Sequence, residues 1–467
     1  MAASFERLLL AISSMAIGGT LSAATVPIAI DPQGTSGNVP WTVLTSPSAN
    51  VRSGPSTSNQ LLGSVPKNQA LTGTLMLVES TDEEWLQFLF NNDTAYVSRS
   101  TLIRIHPAQV APPPAFEYGY EIANRFWGMP LTYAANDLVE VPTAYTMRES
   151  GRSYKLRSEV SGSVAIMATA GLAQGVDIRV ASPYRSGSQQ QSIYQSAVNN
   201  DGLSQRYSAP PGHSEHQLGV CVDFADGAST AVITDAFANT PEGIWMSKNA
   251  EAFGWIQSYR PDNIAETGYI VEAWHYRYFR NQVVNPRFED PEIGAQWTLW
   301  SDPRGQTATA SLSASSFEGP QALRFGRDDG APFGAVLYQR VPAVAGYRYR
   351  LRSWLKRQSN YDGQVMQFGY DPAGGVDPTS SAVVWTDAND PADNTYVSVA
   401  ATALNPNSTA ITLFIRAGHT GTNGSGPAYY FADSVSAIQY WLVPGSTSIP
   451  VPSTATASGI QLLGGAE

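Results

Sequence analysis

The chain has 467 residues, more than one ordinary domain holds, and 43% of them are hydrophobic, enough for two to four separate cores. Charged residues make up only 14%, the net charge is -11 and there is no basic stripe, which argues against nucleic acid as a partner. The single cysteine, Cys221, excludes an intramolecular disulfide, and the low-charge profile with 10% aromatic residues suits an extracellular protein rich in β-structure. In chain order, Arg7 precedes an apolar run from Leu8 to about Gly18, and small residues lead to Ser22-Ala23-Ala24. This is the pattern of a secretory signal peptide over residues 1–24. The run is shorter than the roughly 20 residues of a spanning helix, so cleavage would leave no transmembrane anchor. Residues 25–39 read as a linker. WTVLTS, LLGSV, ALTGTLMLV, EWLQFLF and TAYVS then predict short strands around the turn cluster SANVRSGPSTSNQ, and residues 107–117 read as an extended proline-rich linker.

The next block runs from 118 to 282. Within SYKLRSEVSGSVAIMATAGLAQG (153–175), Val160, Val164, Met167, Ala168 and Leu172 fall at helical spacing, with Gly175 as a stop signal. VDIRVASPY alternates as a strand, GSQQQSIYQSAVNN reads as a helix, LGVCVDF as a strand, WMSKNAEAFGW as a helix and GYIVEAWHYRYF as a strand. Helices and strands in this arrangement predict an α+β domain. From 283 to 441, short strand patterns recur at regular spacing and predict a β-sandwich. Residues 442–467 are rich in Ser, Thr and Pro and read as a disordered tail.

Three of the five histidines fall in two short segments of the middle block, GHSEHQLGVCVDF (212–224) and VEAWHYRYF (271–279). His213, His216, His275, Glu215, Asp223 and Glu272 are the donors available for a metal, and two histidines with one carboxylate form a standard catalytic zinc set. The helical HExxH motif is absent, so ligands must come from strands and loops. Alternation in GVCVDF puts Cys221 and Asp223 on one face and Val220, Val222 and Phe224 on the other. Glu272 and His275 are three apart and would fall on opposite faces of a regular strand, so a bend near Ala273-Trp274 is expected if both reach one site. A papain-like cysteine enzyme is a weak alternative, because Cys221 sits mid-strand with no helix N-terminus to activate it.

Several of these segments resemble known families. ANVRSGPST, Trp85 and AYVSRSTL resemble a bacterial SH3-like domain, a small β-barrel, over residues 40–106; such domains bind cell-wall peptide or act as spacers. Trp85 and Tyr96 read as core residues there. Ser214 to Asp223 matches S-x-H-x-x-G-x-A-x-D except at the alanine, where Cys221 stands, and Glu272 to His275 matches E-x-x-H. With the flanks YKLRSEV, SPYRSGSQQ and WMSKNAEAFGWIQSYR, this resembles the VanY type of D-alanyl-D-alanine carboxypeptidase, in the lysostaphin/D-Ala-D-Ala metallopeptidase group. The resemblance implies that His216, Asp223 and His275 hold Zn2+, that Glu272 is the general base and acid, and that Arg185 stabilises charge on the substrate oxygen. Ser214, Tyr184, Gln190 and Trp274 are candidate substrate contacts, with helix-cap and turn roles open for Ser182, Tyr184, Ser186 and Gln190. His213 and Glu215 read as bystanders, the Glu215 side chain pointing away. Cys221 reads as a buried thiol filling the alanine site, its competition for zinc the other reading. NPRFED and YYFADSVSAI resemble a carbohydrate-binding jelly roll, which implies a structural Ca2+ near Glu289 and Asp433.

The function these resemblances imply is a secreted zinc peptidase on peptidoglycan stem peptides, releasing a terminal D-alanine with zinc-activated water. Its flanking modules would hold cell-wall glycan or peptide. Two alternatives stay open: an endopeptidase cutting stem peptides or cross-bridges with the same site, and a non-catalytic wall-binding protein.

Overall fold

The computed structural model describes residues 24–27, 40–44, 47–104, 123–147, 149, 151–300, 309–344, 347–386, 394–403 and 408–442. The expected signal peptide, nearly all of the 25–39 linker, the proline-rich linker and the tail beyond Leu442 lie outside the described residues. Thr25–Pro27, expected as linker, instead pairs antiparallel with Met76–Val78 as an edge strand, where a proline is tolerated.

Residues 41–103 form two small antiparallel sheets around Trp41, Val51, Leu86 and Val97. Trp85 is buried, its indole N–H donating to Glu83 (3.0 Å), while Tyr96 is half-buried and accepts from Gln87 (2.8 Å).

The middle block places helices against a four-stranded antiparallel sheet, in the order Ile178–Ser182, Cys221–Asp226, His275–Tyr278, Trp255–Gln257. Helix α1 (Ser158–Ala173) buries Val160, Val164, Met167 and Ala168 on the expected face. Leu172 departs from expectation and is 58% exposed. Residues 155–157 are not helical but pair as a strand with Leu138–Glu140. Helix α2 (Gly187–Asp201) starts in a capping box, with Ser186 and Gln189 each satisfying the other's backbone N–H. Helix α3 (Pro241–Asn249) has proline in its first turn, capped by Thr240. Trp255, Phe224, Tyr276 and Tyr278 pack edge-on and tilted in the core beneath the sheet.

The C-terminal block is a sandwich of two five-stranded antiparallel sheets among the described residues, with Phe325, Leu337, Leu351, Phe368, Leu413 and Ile415 buried between them. Glu289 and Asp433, expected near a calcium ion, have protein partners instead. Asp433 accepts the backbone N–H groups of Phe317, Glu318 and Ser434, and Glu289 pairs with Arg287, which also reaches Glu318 at 3.2 Å. Arg287 thus pairs with Glu289 and Glu318 but not with Asp433, and no cluster of three His, Cys, Asp or Glu metal donors forms at that place among the described residues.

The three blocks are joined by buried contacts. Glu84 of the first pairs with Arg125 (3.0 Å) and Arg206 (3.5 Å) of the second. Glu251 of the second receives Arg350 (2.9 Å) and Arg352 (3.2 Å) of the third. Ile256 and Phe279 pack on Ile438, and the Asn281 side chain bonds the backbone of Val435 and Ala437.

Three carboxylates give testable expectations. Burial opposes charge on Glu84, yet Arg125, Arg206 and Arg99 hold its carboxyl below the usual range. Glu84→Gln leaves Arg125 buried with its charge uncompensated and is expected to destabilise the protein by about 3–5 kcal/mol in urea titration. Glu149→Gln, which breaks the exposed Glu149–Arg152 pair, should change stability by less than about 1 kcal/mol. Glu318 behaves oppositely to Glu84: burial, with Glu289 adding, raises it from 4.5 to about 7 against Arg287 and Gln174. A raised carboxyl favours folding while protonated, so wild type should lose stability relative to Glu318→Gln as pH rises from 4.5 to about 7. Denaturation midpoints of the two proteins measured across that window check the sign.

Candidate active site

The site is assembled from a tight turn and two neighbouring strands. The Ser214 hydroxyl accepts the His216 N–H (3.3 Å) and caps a single turn, Glu215–Leu218, which Gly219 ends at φ 72. A Cβ there would lie 2.9 Å from a Leu138 methyl, so glycine is what lets the turn pass directly into the Cys221–Asp226 strand. The Gln217 amide anchors the turn from below by donating to the carbonyls of Pro130 (2.9 Å) and Tyr133 (3.1 Å). In the strand, Val220, Val222 and Phe224 enter the core as alternation requires. Asp223 on the other face is paired in register with His275. The expected irregularity is present: residues 271–274 leave strand geometry in a turn closed by His275 N–H to Glu272 C=O (3.4 Å), and regular pairing begins only at His275. That turn brings Glu272 and His275 to one place, with Glu272 Oε2 3.7 Å from His275 Nδ1.

Asp223 lies between the two imidazoles, with Oδ1 2.8 Å from His275 Nδ1 and Oδ2 3.1 Å from His216 Nε2. The rings meet edge to face at 5.0 Å. Each histidine is pinned through its other nitrogen. His216 Nδ1 donates to the Pro183 carbonyl (2.7 Å), and His275 Nε2 donates to Glu215 Oε2 (3.0 Å). Glu215 therefore does not point away, as expected from its sequence position, but backs His275. It also accepts from Arg277 (3.0 Å) and Ser258 (2.6 Å). Burial would push the Glu215 carboxyl up, but Arg277 and His275 outweigh it and hold it at about 2. Burial likewise opposes charge on Asp223 and both imidazoles, yet His216 and His275 hold Asp223 well below its ordinary value, Asp223 and Cys221 raise His216, and Cys221 first, then hydrogen bonds to Asp223 and Glu215, raise His275 well above its own. Two imidazole nitrogens and a carboxylate that face inward, each fixed from outside, fit the ligand chemistry of a divalent transition metal.

These groups line a cleft of about 700 Å3 together with Glu272, Arg185, Gln190, Ser214 and Trp274. Burial first, then the Asp223 charge, raises the Glu272 carboxyl from 4.5 to about 7, and it has no hydrogen-bond partner among the described residues. Arg185 is held by Ser182 (2.9 Å at Nη1) and Gln190 (3.1 Å at Nε), with Nη1 3.7 Å from Asp223. Gln190 is itself tied to the Ala209 carbonyl (2.8 Å), so its amide positions Arg185. Tyr184 does not line the cleft; its N–H donates to Lys155 C=O (3.0 Å). His213 is buried away from the cluster, its Nδ1 2.7 Å from the Asn124 carbonyl and its ring beside Arg99, where burial and that cation hold it well below its ordinary value. Cys221 is wholly buried and turned toward His216 and His275. Sequence reasoning missed Tyr259, whose ring stacks on His275 (centroids 4.6 Å apart, 23° between planes); the usable signal for it was only its place before Arg260-Pro261.

Residues 153–281 match the family model described as D-alanyl-D-alanine carboxypeptidase (VanY), and residues 47–103 match that of a bacterial SH3 domain. The chain is 29% identical over 159 residues to the putative carboxypeptidase YodJ of Bacillus subtilis (strain 168), covering 34% of this chain and 58% of that protein. It is 34% identical over 119 residues to a D-alanyl-D-alanine carboxypeptidase of Enterococcus faecalis, covering 23% and 41%. A solved structure of the vancomycin-resistance D,D-pentapeptidase VanY in complex with Zn(II) is 29% identical, with 35% of this chain and 88% of that chain covered and a TM-score of 0.28. The chain thus spans about half the length of the curated relatives it matches.

Glu215 is the residue whose role the geometry makes most testable. Glu215→Gln removes the charge behind His275 without removing a proposed ligand. It is expected to weaken Zn2+ binding about 10–100-fold in competition titration against a chromophoric chelator.

Proposed function

We propose that the middle domain is a zinc peptidase of the D-alanyl-D-alanine carboxypeptidase type acting on peptidoglycan stem peptides. The observation that carries this reading is the convergence of His216 Nε2, His275 Nδ1 and the Asp223 carboxylate at a cleft that also holds Glu272, whose carboxylate has no hydrogen-bond partner among the described residues. His216, His275 and Asp223 would hold the metal. Zinc, when bound, would lower the pKa of a coordinated water toward about 7 and polarise the scissile carbonyl.

The chain's own groups supply the rest. Glu272 takes the proton of the attacking water and returns it to the leaving nitrogen as the C–N bond breaks, freeing D-alanine. Burial suits it to this, because a carboxyl near neutrality both accepts and releases a proton. Arg185 is fixed through Nε and Nη1, which leaves Nη2 without a protein acceptor among the described residues and able to face the carbonyl oxygen as it gains charge. Trp274 and Ser214 form cleft wall beside these groups. The adjoining bacterial SH3 domain and the C-terminal sandwich would hold cell-wall peptide or glycan, raising the local concentration of an insoluble substrate. Such a substrate would be met outside the cell or in its envelope. Among the described residues, no helix is long and apolar enough to cross a membrane.

The test is incubation of the zinc-loaded protein with a stem pentapeptide ending in D-Ala-D-Ala, read by mass spectrometry. Chelator-sensitive release of one D-alanine is expected, and Glu272→Gln should lower kcat about 10²–10⁴-fold with zinc content unchanged. Internal cleavage products would assign an endopeptidase, and no zinc-dependent cleavage of stem peptide or purified wall would refute the peptidase.

A further inference from the structure

We propose that Cys221 is a fourth protein donor to the metal at this site. The inference rests on the ligand set proposed above and extends it by a residue that departs from the matched motif, where alanine is expected.

Three observations carry it. First, Cys221 is two residues before Asp223 in the same strand, so both side chains leave the same face of the sheet. Second, a ligand atom from each of His216, Cys221 and His275 lies within 4.8 Å of the other two, a cluster that shares His275 with the one formed by Asp223, Glu272 and His275. Third, both imidazoles are fixed by hydrogen bonds to Pro183 and Glu215, so the rings that Cys221 faces are held in place. A thiol that merely filled a methyl-sized space would be walled by apolar side chains, as Val222 and Phe224 are in the core behind it. Cys221 instead turns away from that core and faces two imidazoles.

The position also suits a donor. Cys221 is fully buried and does not line the cleft, whereas His216, Asp223, Glu272 and His275 all do. A thiolate would therefore approach from the protein side, and a water or substrate oxygen on the cleft side would be a fifth ligand. On metal binding the S–H bond breaks, its proton passes to solvent, and a sulfur–metal bond forms. Thiolate is a soft donor, so the site should favour Cd2+ and Zn2+ over the hard ions Mg2+ and Mn2+ more strongly than a set of two imidazoles and one carboxylate does.

The experiment is Co2+ substitution of the full chain, followed by absorption spectroscopy of wild type and Cys221→Ala. Alanine is the residue the matched motif carries, so the variant is expected to fold. Wild type should bind one Co2+ with visible ligand-field bands and an intense near-ultraviolet sulfur-to-cobalt charge-transfer band. Cys221→Ala should keep the ligand-field bands, lose the charge-transfer band and bind Cd2+ at least about tenfold more weakly. Stoichiometric Co2+ with ligand-field bands but no charge-transfer band in wild type would overturn the role of Cys221 and leave the ligand set standing. Failure of Co2+ to bind at all would overturn both.

Discussion

A carboxylate buried between two imidazoles is the constraint around which the middle domain is organised. Asp223 has almost no contact with water, and an ionised carboxylate in that position is tolerable only beside compensating charge. The strand register supplies His275 directly across from it, and the capped turn before the strand folds His216 back to the same point. Neither ring is free to rotate, because each is bonded on its far side, one to a backbone carbonyl and the other to Glu215. Glu215 is in turn fixed by Arg277 and Ser258, so the order of the site extends outward through a chain of charge-assisted bonds rather than ending at the inward-facing atoms.

That chain of support reaches the neighbouring domains. His213, three residues before His216, is buried against Arg99 of the SH3-like domain, and Arg125 at the start of the middle domain is neutralised by Glu84 of the same neighbour. On the other side, Glu251 receives two arginines of the sandwich, and the strand bearing His275 runs on to Phe279 and Asn281, which contact it. Buried ion pairs of this kind add little net stability but are severe when broken, which makes them suited to fixing one relative placement of domains. The contacts of the flanking blocks thus reach residues close in sequence to the site.

Much of this was legible in the sequence because its signals are local. Alternation in GVCVDF, the impossibility of two like-facing residues three apart in a straight strand, and the paired motifs around His216 and His275 each constrain the site without tertiary information. What escaped depends on contacts between distant segments. Glu215 looked like a bystander since nothing near it in sequence reveals Ser258 or Arg277, 43 and 62 residues away. Leu172 kept helical spacing but lies exposed near the end of α1, and Tyr184 lies in the right turn but is not among the residues lining the cleft. The acids near 289 and 433 suggested a cation, and only the fold reveals that Glu289 pairs with Arg287 and that Asp433 accepts backbone amides.

The central claim is that His216, Asp223 and His275 hold one metal ion at the floor of the cleft. Anomalous diffraction at the zinc absorption edge from crystals of the zinc-loaded protein tests it most directly. The account predicts one strong peak about 2.0–2.2 Å from His216 Nε2, His275 Nδ1 and an Asp223 oxygen, with Glu272 beside it but not bonded to it. A zinc-saturated crystal with no peak at that point, or with its zinc held away from His216, Asp223 and His275, would contradict it.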